Sequence, residues 1–72
     1  MKIKIETEYI KLDSLLKLSN IVGSGGMAKN LIKEGLVKFN GEKCFQRGKK
    51  VRPGDKITIN IDGKEKFIEL EV

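Results

Sequence analysis

The residues with the clearest chemistry in this chain are four cations within six positions: Arg47, Lys49, Lys50 and Arg52. Cations this close repel one another unless an anion or solvent separates them. Arg offers a planar fork for bidentate contact with phosphate, and Lys supplies a point charge. We therefore interpret the stretch as an anion-binding segment, with a merely solubilising surface as the alternative.

Positive charge is concentrated in the middle of the chain. Residues 27–56 hold nine basic and three acidic residues, a net +6, whereas residues 1–26 carry +1 and residues 57–72 carry −2. Such a basic face inside a cell most often meets a phosphate backbone or an anionic membrane. Only one Tyr and three Phe are present, which argues against a protein that stacks bases on several exposed rings.

The composition lacks the residues on which most enzyme mechanisms depend. There is no His, the commonest general base and neutral metal ligand. The single cysteine, Cys44, can form no internal disulfide and is interpreted as a small core residue. We therefore expect no enzymatic activity, no cofactor, no metal and no small-molecule substrate.

The length of 72 residues predicts one domain, 1–72. The first six residues alternate charged and apolar side chains, unlike a signal peptide, and no apolar run approaches a membrane span. We expect a cytoplasmic monomer that contacts no membrane.

Hydrophobic periodicity predicts two short helices in the first half of the chain. The first carries its buried face at i, i+3, i+4 and i+7: Leu12, Leu15, Leu16 and Ser19. The second begins at Ser24, whose hydroxyl can cap it, and ends at Gly35. Its predicted buried face comprises Met27, Ala28, Leu31 and Ile32, which leaves Lys29 and Lys33 on another face.

A period of two predicts strands around this helix pair. Ile3, Ile5 and Thr7 alternate with charged residues in a first strand, and strands later in the chain are joined by three turns. The turns are Asn40-Gly41, Pro53-Gly54-Asp55 and Asp62-Gly63. The predicted fold class is α+β, a two-helix hairpin packed on a small, mainly antiparallel sheet.

The glycines before the second helix formally fit a dinucleotide-binding pattern, from Gly23 to Ala28. That motif requires a strand before it, and here a helix precedes it. What remains is that the first amides of the second helix, at Ser24, Gly25 and Gly26, lie at its positive end, where anions bind. A plain tight turn is the alternative.

Residues 11–57 resemble the S-four RNA-binding domain, named after ribosomal small-subunit protein four. The resemblance rests on four motifs in order: Lys11-Leu12-Asp13; Ser24 with Ala28, Leu31 and Ile32; Gly35-Leu36-Val37-Lys38-Phe39-Asn40-Gly41; and Val51-Arg52-Pro53-Gly54-Asp55-Lys56-Ile57. The second helix is especially similar to small stand-alone bacterial members, the YaaA-like proteins, which are linked to ribosome assembly.

The resemblance implies an alpha-L RNA-binding motif that contacts structured RNA, mostly through phosphates. The wider family usually has Arg where this chain has Gly25, so here backbone amides are expected to meet phosphate instead. The implied contact residues are Lys11, Ser24, Gly25, Gly26, Lys29, Lys33, Lys38, Lys43, Arg47, Lys49, Lys50 and Arg52.

Together, the charge pattern and the resemblance lead to the expectation of a non-enzymatic protein that binds RNA, either ribosomal RNA or a ribosomal particle, during ribosome assembly or translation. The alternative is a protein-interaction module that docks an acidic partner. We expect the acidic residues of the terminal hairpin to face away from RNA: Asp62, Glu65, Glu69 and Glu71.

Overall fold

The secondary structure consists of two helices and seven strands, and the computed structural model describes residues 1–72. In chain order the elements are β1 (Lys2–Lys4), β2 (Ile10–Lys11), α1 (Leu12–Leu18), α2 (Gly25–Lys33), β3 (Val37–Phe39), β4 (Glu42–Lys43), β5 (Lys50–Val51), β6 (Lys56–Ile61) and β7 (Lys64–Glu71). Neither helix is long and apolar enough to cross a membrane.

Five of the strands form one sheet in the order β1-β7-β6-β3-β4, and β2 and β5 form a separate two-stranded ladder. All pairs are antiparallel except β1 with β7. The predicted fold class, a helix pair with a mainly antiparallel sheet, is confirmed. The first strand is shorter than predicted, since it ends at Lys4 and residues 6–8 form a bend.

The core is one cluster of fourteen buried residues drawn from both helices and the sheet. Leu12, Leu15 and Leu16 of α1 are fully buried, as the helical period predicted. Each such side chain stabilises the fold by roughly 1.5–3 kcal/mol. The core therefore fixes α1 and α2 against the sheet and sets the positions of the polar side chains around them.

Helix α2 begins at the predicted cap but buries a narrower face than predicted. The Ser24 hydroxyl accepts a hydrogen bond from the Met27 amide at 3.3 Å. Ala28 and Ile32 are fully buried, and Leu31 is half-buried. The prediction that Met27 is buried is wrong, because it is 50% exposed. Met27 lies about 100° around the helix from Ala28, which puts it at the edge of the buried face.

The turns form where they were predicted, and hydrogen bonds of one side chain connect two of them. Asn40 and Gly41 have φ of 50° and 90°, the left-handed conformation that a two-residue hairpin turn requires. The Asn40 side chain donates to Asp55 Oδ1 at 3.0 Å and accepts from the Lys56 amide at 2.8 Å. The β3–β4 hairpin is thereby tied to the turn before β6, which positions the basic residues that both carry.

Candidate nucleic-acid interface

The loop at residues 44–49, which we call the basic loop, is held against the start of α1 by hydrogen bonds of its backbone. The carbonyl oxygen of Lys49 accepts from the Leu12 amide at 2.9 Å, and that of Arg47 accepts from the Asp13 amide at 3.1 Å. Lys11, at the N-cap of α1, makes no side-chain capping bond. The loop carbonyls therefore satisfy amides that the helix leaves free, and this fixes Arg47 and Lys49 beside the helix.

Two pairs of lysines face each other directly across neighbouring strands. Lys11 of β2 is opposite Lys50 of β5, and Lys38 of β3 is opposite Lys43 of β4. All four side chains are exposed. Like charges placed directly opposite destabilise a ladder by roughly 0.2–1 kcal/mol. Both ladders would therefore be stabilised by an anion bound between the paired ammonium groups.

No carboxylate forms an ion pair with these cations. The structure contains a single ion pair, between Lys56 Nζ and Glu69 Oε2 at 3.9 Å, and both partners are exposed. Every candidate cation thus lies more than 4.0 Å from the nearest carboxylate oxygen. The terminal hairpin is nevertheless not turned wholly away, because Glu65 lines a cleft together with Lys38 and Lys43. Glu65 therefore lies beside two of the predicted RNA-contacting lysines, although the acidic residues of the terminal hairpin were expected to face away from RNA.

Aromatic rings orient three of the cations, a feature that the sequence did not reveal. The ammonium nitrogen of Lys50 lies 4.9 Å from the centre of the Tyr9 ring, and the guanidinium carbon of Arg52 lies 5.9 Å from it. Lys49 Nζ lies 4.9 Å from the centre of the Phe39 ring. Each such contact at an exposed site is worth about 0.5–1 kcal/mol. Tyr9 comes next to Arg52 only through the β2–β5 ladder.

Helix α2 and the basic loop meet at a cleft of about 250 Å³. Lys29 and Lys33 line it from the helix, and Phe45 and Arg47 line it from the loop. Lys29 and Lys33 are one turn apart, so both project from the same side of α2. Lys29 and Lys33 of the helix and Arg47 of the loop therefore line one cleft, together with the ring of Phe45.

The start of α2 is flanked by a cation that the sequence analysis missed. Gly25 and Gly26 are exposed, and their amides have no intrahelical acceptor. A Cβ on Gly25 would lie 3.6 Å from Cδ and 3.9 Å from Nζ of Lys17, from α1. Gly25 thus lies beside Lys17, and no atom of the basic loop lies within 4 Å of a Cβ built on Gly25 or Gly26. Only the packing of α1 on α2 reveals this neighbour.

We call the cations of this region the basic surface; all of them are exposed except Lys49, which is half-buried. It comprises Lys11, Lys29, Lys33, Lys38, Lys43, Arg47, Lys49, Lys50 and Arg52. Its members lie on α2, on the β3–β4 hairpin, in the loop that follows it, and on or beside the β2–β5 ladder. Its unpaired positive charge and flanking rings suit a ligand that is both extended and multiply anionic.

The chain is similar to proteins of several sizes. RlbA of Bacillus subtilis (strain 168), a probable ribosome maturation protein, is 44% identical over 65 residues, which cover 90% of this chain and 89% of that protein. An uncharacterized RNA pseudouridine synthase of Aquifex aeolicus is 32% identical over 65 residues. Tyrosine–tRNA ligase 2 of Pseudoalteromonas translucida is 34% identical over 73 aligned positions. The chain matches only 21% and 18% of these last two proteins.

A solved structure has the same fold. Heat Shock Protein 15 of Vibrio cholerae, determined as a trimer, superposes with a TM-score of 0.78 at 29% identity. The match covers 90% of this chain and 65% of that one. The S4 domain family matches residues 3–70, beyond the motifs found at 11–57. Given this match and the 44% identity to a relative of nearly the same length, the chain belongs to the S4 domain family.

Proposed function

We propose that this protein binds structured RNA through the basic surface and catalyses no reaction. Its target is ribosomal RNA, free or in a ribosomal particle, and it acts in the cytoplasm during ribosome assembly. The observation that carries the proposal is that Lys11 lies opposite Lys50 and Lys38 lies opposite Lys43. No carboxylate oxygen lies within 4.0 Å of any of these four ammonium nitrogens.

A phosphate backbone fits this arrangement better than a single small anion does. The two lysine pairs lie in different ladders, so one small ion can relieve only one of them. RNA carries a phosphate at every nucleotide and can reach both pairs at once. Each phosphate neutralised also releases condensed counterions, which favours binding at low salt.

The names of the relatives also support RNA binding. One is named for ribosome maturation, and two are named for enzymes that act on RNA. This chain corresponds to about a fifth of each of those two enzymes. We therefore infer that this chain binds RNA, as such a segment would, and that it does not share the catalytic activity of the two enzymes. The charge of the basic surface and the absence of His agree with that role.

Crosslinking in cells, followed by sequencing of the RNA bound to the purified protein, tests this function. We expect enrichment of ribosomal RNA, and loss of that enrichment in a Lys49→Glu/Lys50→Glu variant of unchanged fold. Purification with and without nuclease separates RNA binding from docking of an acidic protein. A protein partner retained after nuclease treatment, with no ribosomal RNA enriched, would contradict the proposal.

A further inference from the structure

Phe45 is an exposed aromatic ring in the middle of the basic surface. It is 60% exposed and contributes nothing to the core cluster. It lines the cleft of about 250 Å³ that contains Lys29, Lys33 and Arg47. It also lines a second cleft, of about 300 Å³, whose walls include Lys43, Lys49 and the acidic side chain of Glu42. The ring therefore stands between two groups of unpaired cations.

The ring of Phe45 packs over Gly35, where the absence of a side chain leaves room for it. Gly35, at the end of α2, has φ of 76°, and a Cβ there would lie only 3.1 Å from Cε1 and 3.3 Å from Cζ of Phe45. The preceding residue, Cys44, is 9% exposed, and its amide donates to the Val37 carbonyl at 3.0 Å. The anchored neighbour and the close approach to Gly35 restrict where the ring can lie before any ligand arrives, which reduces the ordering cost of binding.

The chemistry around Phe45 selects a particular ligand. An inorganic anion gains nothing from an apolar ring, and an apolar peptide gains nothing from cations on both sides of one. A nucleotide offers both a phosphate and a flat aromatic face. Gln46, in the second cleft, adds an amide that can donate to and accept from the edge of a base.

We propose that Phe45 is a stacking platform for one unpaired base of the bound RNA. Lys29, Lys33 and Arg47 hold the phosphate on one side of that nucleotide, and Lys43 and Lys49 hold the phosphate on the other. This inference rests on the proposed RNA-binding function and narrows it, because the target must present a bulged or looped nucleotide. A continuous duplex keeps its bases stacked and cannot supply one.

Two RNA probes test this: a fully paired duplex, and the same duplex with one bulged adenine. The wild-type protein should bind the bulged RNA more tightly. Phe45→Leu keeps an apolar side chain but removes the ring, and should weaken binding to the bulged RNA by about 5- to 150-fold, the range measured for loss of one stacked base. Its affinity for the paired duplex and its salt dependence should not change.

Matched variants sharpen the test. Phe45→Tyr keeps a ring and should restore affinity for the bulged RNA. Phe67→Leu changes a ring that is equally exposed, at 61%, but lies in β7 away from the basic surface, and should have no effect. In nuclear magnetic resonance spectra, stacking should move the Phe45 ring-proton signals upfield when the bulged RNA is added.

The outcomes separate the two proposals. Equal wild-type affinity for both probes, or unchanged affinity of Phe45→Leu for the bulged RNA, would overturn the stacking platform while leaving phosphate binding intact. If the wild-type protein binds neither RNA at low salt, both the platform and the RNA-binding function fail.

Discussion

Lys43→Glu should make the protein more stable and a weaker RNA binder. Lys43 faces Lys38 directly across the β3–β4 hairpin. The neighbouring pair is hydrogen-bonded, since the Cys44 amide donates to the Val37 carbonyl at 3.0 Å. Pairs alternate along an antiparallel ladder, so the two lysines occupy a non-hydrogen-bonded position, where side chains come closest. The substitution replaces a repulsion at this position with an attraction.

The size of the effect follows from cross-strand pairing. Each such pair changes the free energy of unfolding by roughly 0.2–1 kcal/mol. The substitution removes a repulsion of this size and adds an attraction of similar size. Glu65 lines the same cleft and would repel the new carboxylate, which removes part of the gain. We therefore expect the free energy of unfolding to rise by about 0.5–1 kcal/mol, or Tm by roughly 2–8 °C. High salt should abolish most of this gain, because the screening length falls to about 3 Å at 1 M.

Thermal unfolding at low and high salt, with RNA affinity measured on the same samples, is the assay. The control is Lys66→Glu, which makes the same change in charge opposite the uncharged Ile59, outside the basic surface. Lys43→Glu should exceed the control in both the stability gained and the affinity lost. If it is no more stable than Lys66→Glu, the reasoning from like-charged pairs is refuted.

Three further changes probe other parts of the surface. Lys49→Glu/Lys50→Glu should weaken binding to unrelated RNA sequences about equally while circular dichroism stays unchanged; sequence-selective loss would contradict phosphate contact. Glu65→Gln should raise RNA affinity by up to about fivefold, since it removes a carboxylate from the cleft of Lys38 and Lys43. Filter binding measures this affinity, and a lower affinity in the variant would contradict the prediction. Ser24→Ala should cost about 1 kcal/mol of stability, whereas Ser24→Asp should keep the cap. If amides at the start of α2 meet phosphate, the Asp variant should fold normally in melts yet bind RNA less tightly than wild type.

Local signals account for what the sequence predicted well. The Ser24 cap, the Gly35 terminator and the Asn40-Gly41 turn each depend on residues a few positions apart, and all are present. The buried face of α1 follows from its period alone. The family motifs over residues 11–57 also identified the fold, which the family match at 3–70 confirms.

Contacts between distant segments were not predictable in the same way. The β2–β5 ladder joins two-residue strands that are too short to show a period, yet it creates the Lys11–Lys50 pair and brings Tyr9 to Arg52. Lys17 reaches Gly25 only because the two helices pack together. Phe45 follows β4, which ends at Lys43, and its ring is exposed. Aromatic composition alone did not indicate that rings lie beside the cations.

The most direct test of the central claim is the salt dependence of affinity for a structured ribosomal RNA fragment. Nine cations form the basic surface, and we expect about five phosphate contacts. The logarithm of the association constant should then fall against the logarithm of salt concentration with a slope of roughly −3.5 to −4.5. Lys49→Glu/Lys50→Glu should make that slope shallower. A salt-independent affinity, or no binding at low salt, would contradict the account.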